Sequence, residues 1–369
     1  MTQDLRISPD RSAARAAVIA KAGFEGARVE PLAMDASTRR YERLVRADRT
    51  AILMDAPRGN EAPPCAPGMS DGDRLALGWN ATARLAASRV EAFVAVAAYL
   101  RGLGLSAPEV LAEDSRAGYA VVEDLGPALF AQAIPAGADE ISLYKAAAAV
   151  LARAQAQVPP AHLNGPEGGW PLLTYDALAL RANADLFVDW LPRFHADLTL
   201  TDADRVRWEG VRDRLIEQAE NFPRAFTIRD FHAENLIWLP ERLGVARVGL
   251  LDFQDAVLGW RSWDFTMLLQ DARRDVAPSA AKAAIATYLD ITGAAETPFQ
   301  QEFAILGALN ALRILGVFCR LVARDGKPRY QSFMPREWGH LAANLDHPAL
   351  AELRGWLDHV NAPYARRAA

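Results

Sequence analysis

Short runs of alternating apolar and polar residues dominate the first part of the chain. Residues 27–33, 41–45 and 49–55 each have the two-residue period of a half-buried strand. A polar loop, 35–40, separates the first two runs, and an amphipathic stretch at 11–23 precedes them. The pattern therefore predicts a helix followed by a strand, a loop and two further strands.

Further along the chain, the spacing of apolar residues changes from the two-residue period of strands to that of helices. Residues 91–103 have a helical pattern, and 119–126 form one more apolar strand that ends at a glycine. Further helices are predicted at 141–158, 174–190, 202–221, 262–269, 279–292, 299–323, 335–344 and 349–360. The sequence therefore predicts an α/β (α+β) protein with a small β-rich lobe over 1–125 and a large helical lobe over 126–369.

Two apolar strands interrupt the helical part. Residues 236–238 and 248–251 are separated by a segment rich in turn formers, so they predict a hairpin. Asp230 and Asn235 precede the first strand, and Asp252 follows the second. A hairpin of this kind would bring the three side chains together at one end.

These side chains suit phosphoryl transfer from a nucleotide. That reaction needs a carboxylate to orient the accepting hydroxyl and oxygen ligands for Mg²⁺. We therefore expect Asp230 to be the catalytic base, and Asn235 and Asp252 to bind the metal. The six histidines show no metal-ligand spacing with another His or Cys.

Composition and charge narrow the class of partner. The 369 residues are enough for two domains or one large two-lobed enzyme. A net charge of −5 without a basic tract argues against nucleic acid as the main partner. Cys65 and Cys319 give no disulfide framework, and the N-terminus lacks the apolar core of a signal peptide, so we expect a cytoplasmic protein.

One apolar stretch is long enough to span a membrane. Residues 303–323 are mostly apolar, but Arg313 falls at their centre and Asn310 lies nearby. A central Arg costs about 2.5–3.5 kcal/mol on insertion scales. We therefore expect a buried helix of the large lobe and no membrane partner.

The predicted hairpin resembles a known family. Residues 228–230 (Ile-Arg-Asp) followed by Asn235 resemble the kinase catalytic loop, with Ile228 in place of its His. The form Asp-x-His-x-x-Asn, followed at 252–256 by Asp-Phe-x-Asp-Ala, is closer to the aminoglycoside phosphotransferase and choline kinase family than to protein kinases. This resemblance implies a two-lobed protein-kinase-like fold, ATP and Mg²⁺ as cofactors, and a later Asp, here Asp264, that braces the catalytic loop.

The resemblance also implies that the first loop covers the phosphates of the nucleotide. Ser37 and Thr38 would donate hydrogen bonds to phosphate oxygens, and Arg39 or Arg40 would supply positive charge. Kinases usually carry a Lys on the third strand, but the equivalent position here is Met54 and the three strands contain no Lys. We expect an Arg of the loop to take its place.

The segment 119–126 resembles the hinge between kinase lobes. Backbone groups near Glu123 and Leu125 would then contact the adenine edge. Near the catalytic loop, we expect His232 and Asp255 to have supporting structural roles.

A narrower resemblance points to the substrate. Residues 35–41, 53–57 and 122–126 resemble bacterial kinases that phosphorylate the anomeric hydroxyl of N-acetylmuramate and N-acetylglucosamine in cell-wall recycling. Sugar recognition would need polar groups for hydroxyls and an aromatic face for the ring. The candidates for this role in the large lobe are Trp170, Arg181, Asp185 and Trp190.

Other functions stay open at the level of sequence. The acceptor could be another small alcohol: choline would need an aromatic cage, and an aminoglycoside an acidic cleft. The missing Lys motivates a nucleotide-binding pseudokinase, against which Asp230, Asn235 and Asp252 argue. The oligomeric state is not determined.

Residues 57–88 resemble an insertion relative to the family. Their first part, 57–73, is rich in Pro, Gly and Asp and predicts a loop or mobile flap, and 75–87 predict a short extra helix. The sequence assigns no function to this segment.

Overall fold

Five antiparallel strands form the sheet of the N-terminal lobe. The structure, a computed structural model, describes residues 9–32, 39–58, 64–86, 89–195 and 197–363. The strands are β1 (Arg28–Pro31), β2 (Arg40–Val45), β3 (Thr50–Asp55), β4 (Val110–Asp114) and β5 (Tyr119–Glu123). They pair in the order β1-β2-β3-β5-β4, so the predicted strands of this lobe are present.

Both faces of the sheet are buried at its central strands, β3 and β5. The accompanying helices are α1 (Pro9–Lys21), α2 (Asp71–Leu77) and α3 (Val90–Gly102). Alternate residues of β3 point to opposite faces, so Leu53 packs in the cluster that includes Val18 of α1, and Met54 packs in the cluster that includes α3. Phe93 of α3 stacks on Phe253 of the C-terminal lobe with ring centres 4.9 Å apart, which joins the cores of the two lobes.

Helices make up most of the C-terminal lobe. They are α4 (Phe130–Ala133), α5 (Glu140–Ala154), α6 (Ala177–Phe194), α7 (Asp202–Glu220), α8 (Trp263–Leu269), α9 (Pro278–Thr292), α10 (Glu296–Ala323), α11 (Met334–Asn344) and α12 (Ala351–His359). The short strands between them are β6 (His162–Leu163), β7 (Trp170–Pro171), β8 (Arg224–Thr227), β9 (Leu236–Trp238), β10 (Val248–Leu250) and β11 (Val257–Trp260).

Helix α10 is the apolar helix whose length matches a membrane span. Within the described ranges it is the one such helix, and 67% of its most apolar window is buried inside the protein. Helix α6 crosses it so closely that a Cβ at Gly316 would lie 2.4 Å from the backbone carbon of Leu186. The prediction of a buried helix of the large lobe is therefore confirmed.

Two short strand pairs flank the loop at 228–235. Strand β9 pairs antiparallel with β10, which confirms the predicted hairpin, and β8 pairs antiparallel with β11. The second pair was not predicted, because each of its strands has only four residues and the pairing is long-range. The loop is thus anchored to a different strand pair at each end.

The segment 57–88 differs from its prediction. Its helix α2 ends at Gly78, four residues after Arg74, and a π-helical turn, Asn80–Arg84, follows. The buried Arg74 pairs with Asp176 and donates to the carbonyl oxygens of Ala81 and Thr82 at 3.0 and 3.2 Å. The ion pair joins the segment 64–86 to the large lobe, and the two hydrogen bonds connect α2 to the π-helical turn.

Candidate active site

A buried carboxylate holds the loop between β8 and β9. Asp264, in the first turn of α8, accepts the backbone N–H groups of Ile228 and Arg229, each at 2.8 Å. Arg229 has a φ of 80°, a left-handed conformation that residues other than glycine rarely adopt. The carboxylate therefore stabilises the turn that presents Asp230.

Asn235 closes the loop at its other end. Its Nδ2 donates to the carbonyl oxygen of Asp230 at 2.8 Å and lies 3.2 Å from Nε2 of His232. The backbone carbonyl oxygen of Asn235 accepts the N–H of Leu251 at 2.9 Å, which ties the loop to the residue before Asp252. Because its nitrogen is engaged within the loop, Oδ1 is the atom that Asn235 can offer to a ligand.

The structure brings Asp230 and Asp252 close enough to influence each other's ionisation. Burial and the negative charges of Asp252 and Asp255 raise the pKa of Asp230 to about 6. Burial acts on Asp252 in the same direction, but its ion pair with Arg39 and a hydrogen bond from Gln254 at 2.9 Å hold its pKa below the usual value. One carboxylate therefore stays ionised while the other can accept a proton near neutral pH.

Arginine contacts connect the site to the inserted segment. Nε of Arg84 donates to Asp255 at 2.9 Å, and Arg229 donates to the carbonyl oxygen of Arg84. The guanidinium of Arg229 also lies 4.9 Å from the ring centre of Tyr175. The sequence prediction missed Arg84, because its contact with Asp255 depends on how the π-helical turn packs. The one local signal was a charged residue within a run of small and apolar residues.

The oxygen atoms at this end of the hairpin suit Mg²⁺. Asp252 offers a carboxylate and Asn235 an amide oxygen, both of them hard ligands. Within the described residues, no three His, Cys, Asp or Glu side chains cluster as a metal site. Two protein ligands fit Mg²⁺, which keeps bound waters and binds through substrate phosphates more often than in an all-protein cage.

The predicted phosphate contacts differ in their surroundings. Ser37 and Thr38 lie outside the described residues. Arg39 is buried against Asp252, whereas Arg40 is exposed at the start of β2. Of the two described arginines, Arg39 is therefore the one that lies beside Asp252.

The structure also describes Met54, predicted at the position of the kinase Lys, and Glu123 and Leu125, predicted at the hinge. Met54 is 1% exposed and pairs with Tyr41 across β2 and β3. Glu123 ends β5 in an ion pair with Arg242. A Cβ at Gly249 of β10 would lie 3.0 Å from Cδ1 of Leu125, so the predicted hinge segment packs directly on the β9–β10 hairpin.

The four residues predicted to contact the sugar lie in ion pairs, in the core or beneath arginine side chains. Arg181 and Asp185 belong to an ion-pair network between α6 and α7. Trp170 is buried in the core, and the ring of Trp190 lies beneath arginine side chains. The charged groups that act on Asp230 are a different set: Asp252, Asp255, Arg229 and Arg313.

Comparison with known proteins finds close relatives of the sequence. The model of the phosphotransferase enzyme family matches residues 28–303. The chain is 50% identical to an N-acetylmuramate/N-acetylglucosamine kinase of Caulobacter vibrioides, over 98% of this chain and 100% of that protein. It is 31% identical to a kinase of the same name from Pseudomonas aeruginosa, over 88% of this chain and 86% of that protein.

Solved structures share the fold at low sequence identity. A choline/ethanolamine kinase family protein from Mesorhizobium loti has a TM-score of 0.57 at 16% identity, covering 95% of this chain and 98% of its own. An ADP-bound aminoglycoside phosphotransferase has a TM-score of 0.50 at 12% identity, covering 88% and 93%. These likenesses confirm the predicted two-lobed, kinase-like fold.

The role of Asp264 in holding the loop can be tested by measuring the free energy of unfolding. Asp264→Asn replaces one acceptor oxygen with a donor that faces a backbone N–H, so we expect the free energy of unfolding to fall by about 1–3 kcal/mol. Amide exchange at residues 228 and 229 should accelerate as well. Asp139→Asn is the matched control: Asp139 also accepts a backbone N–H, from Ile141 at 3.1 Å, but at an exposed helix N-terminus where Asn caps equally well. Equal stability of both variants would contradict the role of Asp264.

Proposed function

This chain belongs to the phosphotransferase enzyme family, and we propose that it transfers the γ-phosphate of ATP to the anomeric hydroxyl of N-acetylmuramate or N-acetylglucosamine. The observation that carries the proposal is the near full-length similarity to the Caulobacter vibrioides kinase named for these two sugars. The product is a sugar 1-phosphate, which serves peptidoglycan recycling. Aminoglycosides and choline are less favoured acceptors, because the two solved structures named for them share 16% and 12% identity with this chain.

Asp230 orients and deprotonates the attacking hydroxyl. The contacts of its loop with Asp264 and Asn235 support a fixed position opposite the γ-phosphate. Its pKa of about 6 leaves it ionised at neutral pH and basic enough to accept a proton as the new bond forms. A hemiacetal hydroxyl is more acidic than an ordinary alcohol, so this base has little proton density to remove.

Asn235 and Asp252 hold Mg²⁺ through Oδ1 and the carboxylate. When bound, the ion neutralises charge on the phosphate oxygens during transfer. The low pKa of Asp252 supports this role, because a ligand carboxylate must be ionised.

Arg39 takes the place of the strand Lys. Its guanidinium lies beside Asp252, the carboxylate that would face the nucleotide phosphates, and a planar fork binds phosphate oxygens in pairs. Ser37, Thr38 and their backbone amides complete the phosphate contacts, and Arg40 lies at the edge of the same loop. Met54 provides apolar packing where other kinases have the Lys.

The adenine ring binds at the hinge, where backbone groups near Glu123 and Leu125 meet its edge. The packing of Leu125 on Gly249 fixes the distance between this hinge and the catalytic hairpin. The use of ATP and the two buried free thiols, Cys65 and Cys319, are consistent with a cytoplasmic enzyme.

Replacing the base should separate binding from chemistry. We expect Asp230→Asn to bind Mg·ATP nearly as wild type does and to lower kcat by about 10²-fold or more, the contribution of a general base. Wild-type kcat/KM should rise with pH through about 6, since the carboxylate must be ionised, and the variant should lose this limb. Asp213→Asn, on the surface of α7, is the control. A kcat within tenfold of wild type would assign the base to another residue.

The absence of Lys from strands β1, β2 and β3 gives a second test. Arg39→Ala should weaken ATP binding by about 1.5–3 kcal/mol, as expected for a lost charge-assisted hydrogen bond, whereas the exposed Arg40→Ala should change it by less than about 0.5 kcal/mol. Titration calorimetry with a nonhydrolysable ATP analogue and Mg²⁺ measures both. If the single variants and the double variant all bind the nucleotide normally, the phosphate-loop proposal is wrong.

The position of the transferred phosphate is the third test. Phosphorus NMR of the product of N-acetylglucosamine should show coupling to H1 and loss of the signal in mild acid, as for an anomeric phosphate. A methyl glycoside, whose C1 oxygen is blocked, should not be a substrate. A product coupled to two H6 protons would exclude the anomeric position while retaining the kinase activity.

A further inference from the structure

A fully buried carboxyl group without hydrogen-bond partners lies on α11. Glu337 is 0% exposed, and neither of its oxygens has a hydrogen-bond partner among the described residues. Met334 and Leu341, one turn away on either side, are also buried, so Glu337 lies on the core-facing side of the helix. A buried, unpartnered carboxyl group strongly destabilises a folded protein, so its presence calls for an explanation other than stability.

Helix capping does not provide that explanation. Acidic residues in the first turn of a helix are often bonded by the free N–H groups there. Glu337 lies in the first turn of α11 but makes no such bond within the described part of the chain. Burial raises its pKa well above the usual range, against the opposing charge of Arg313.

Arg313 extends from α10 to α8, the helix that carries Asp264. Its guanidinium lies 5.9 Å from the ring centre of Trp263, and its Nη2 lies 3.9 Å from Sδ of Met267. Its positive charge favours the ionised forms of both Asp230 and Glu337. Its Nε and Nη2 donate to Oδ1 of Asn310, at 3.0 and 2.8 Å. Arg313 is thus held against α8, the helix whose Asp264 anchors the loop of Asp230.

Asp271 and Arg273 extend this connection to the catalytic loop. Arg273 pairs with Glu234, the residue before Asn235, at 3.0 Å, and its backbone N–H donates to Oδ1 of Asp271 at 2.9 Å. The other oxygen of Asp271 is buried and has no hydrogen-bond partner within the described ranges. Arg336, the residue before Glu337, donates to the carbonyl oxygen of Ala272 at 2.8 Å, so α11 packs on the segment that carries Asp271 and Arg273.

We propose that Glu337 recognises the acceptor sugar: its carboxyl group accepts hydrogen bonds from ring hydroxyls or from the acetamido N–H, with Asp271 as a second acceptor and Arg313 as the balancing charge. This assignment rests on the proposed sugar kinase function. A polyhydroxylated ring supplies the donors that the two carboxyl groups lack, and hydrogen bonds made away from water discriminate strongly between ligands. The same buried group would reject an apolar acceptor, because it would then remain unpartnered.

Glu337→Gln tests the assignment by binding as well as by stability. In titrations with N-acetylglucosamine and a nonhydrolysable ATP analogue, we expect sugar affinity to fall by about ten- to a hundredfold and nucleotide affinity to stay within about twofold. Without ligands, the thermal midpoint of the variant should equal or exceed that of wild type, because no protein hydrogen bond is lost.

Glu302→Gln is the matched control. Glu302 is also 0% exposed, but its oxygens accept the N–H of Ser262 and pair with Arg261, both at 2.9 Å. This variant should have a lower thermal midpoint and unchanged sugar affinity. If Glu337→Gln behaves in the same way, Glu337 is structural and the assignment is overturned.

Deoxy sugars test the same contact without altering the fold. At least one analogue of N-acetylglucosamine that lacks a single ring hydroxyl should bind wild type about tenfold or more weakly, and this difference should vanish in Glu337→Gln. A difference that persists unchanged in the variant for every analogue overturns the assignment.

Failure of the proposed sugar kinase function can be distinguished from failure of the Glu337 assignment. If wild type phosphorylates no amino sugar, a thermal-shift screen of polyhydroxylated alcohols still tests Glu337. A compound that raises the midpoint of wild type and not that of Glu337→Gln supports the recognition role, and equal shifts for both proteins contradict it.

Discussion

The active site depends on one buried interaction, the acceptance of two backbone N–H groups by Asp264. The hydrogen bonds to Ile228 and Arg229 offset the unfavourable left-handed conformation of Arg229, the residue directly before Asp230. Burial raises the pKa of Asp264 to about 7, while the two N–H donors act in the opposite direction. The two backbone groups therefore favour the charged form of Asp264 in the core, where they take the place of water.

The second constraint is a balance of charge around the reacting groups. Asp230, Asp252 and Asp255 lie close together, and arginines rather than lysines neutralise them. Arg39 approaches from the loop before β2 and Arg84 from the segment 64–86, so two cations from the N-terminal part of the chain pair with carboxylates of the C-terminal lobe. This arrangement supports the proposal that Arg39 takes the place of the strand Lys, with a guanidinium fork in place of a point charge.

The sequence predicted those parts of the site that local patterns determine. The hairpin followed from two apolar runs around a turn, and it brought Asp230, Asn235 and Asp252 together because they flank its ends. Arg84 and Glu337 could not be found in this way, because their importance arises from packing between elements far apart in the chain. The sugar candidates Arg181 and Asp185 were chosen for their chemistry alone, and the α6–α7 ion pairs that engage them depend on a helix orientation that periodicity does not specify.

The most direct measurement is a crystal structure of the protein with Mg²⁺, a nonhydrolysable ATP analogue and N-acetylglucosamine. This account predicts the anomeric O1 within about 2.6–3.2 Å of the Asp230 carboxylate and in line with the γ-phosphate, with the metal on Asn235 and Asp252. It also predicts ring hydroxyls or the acetamido group of the sugar on Glu337. A complex in which the C6 hydroxyl faces Asp230, or in which the metal lies away from Asn235 and Asp252, would contradict it.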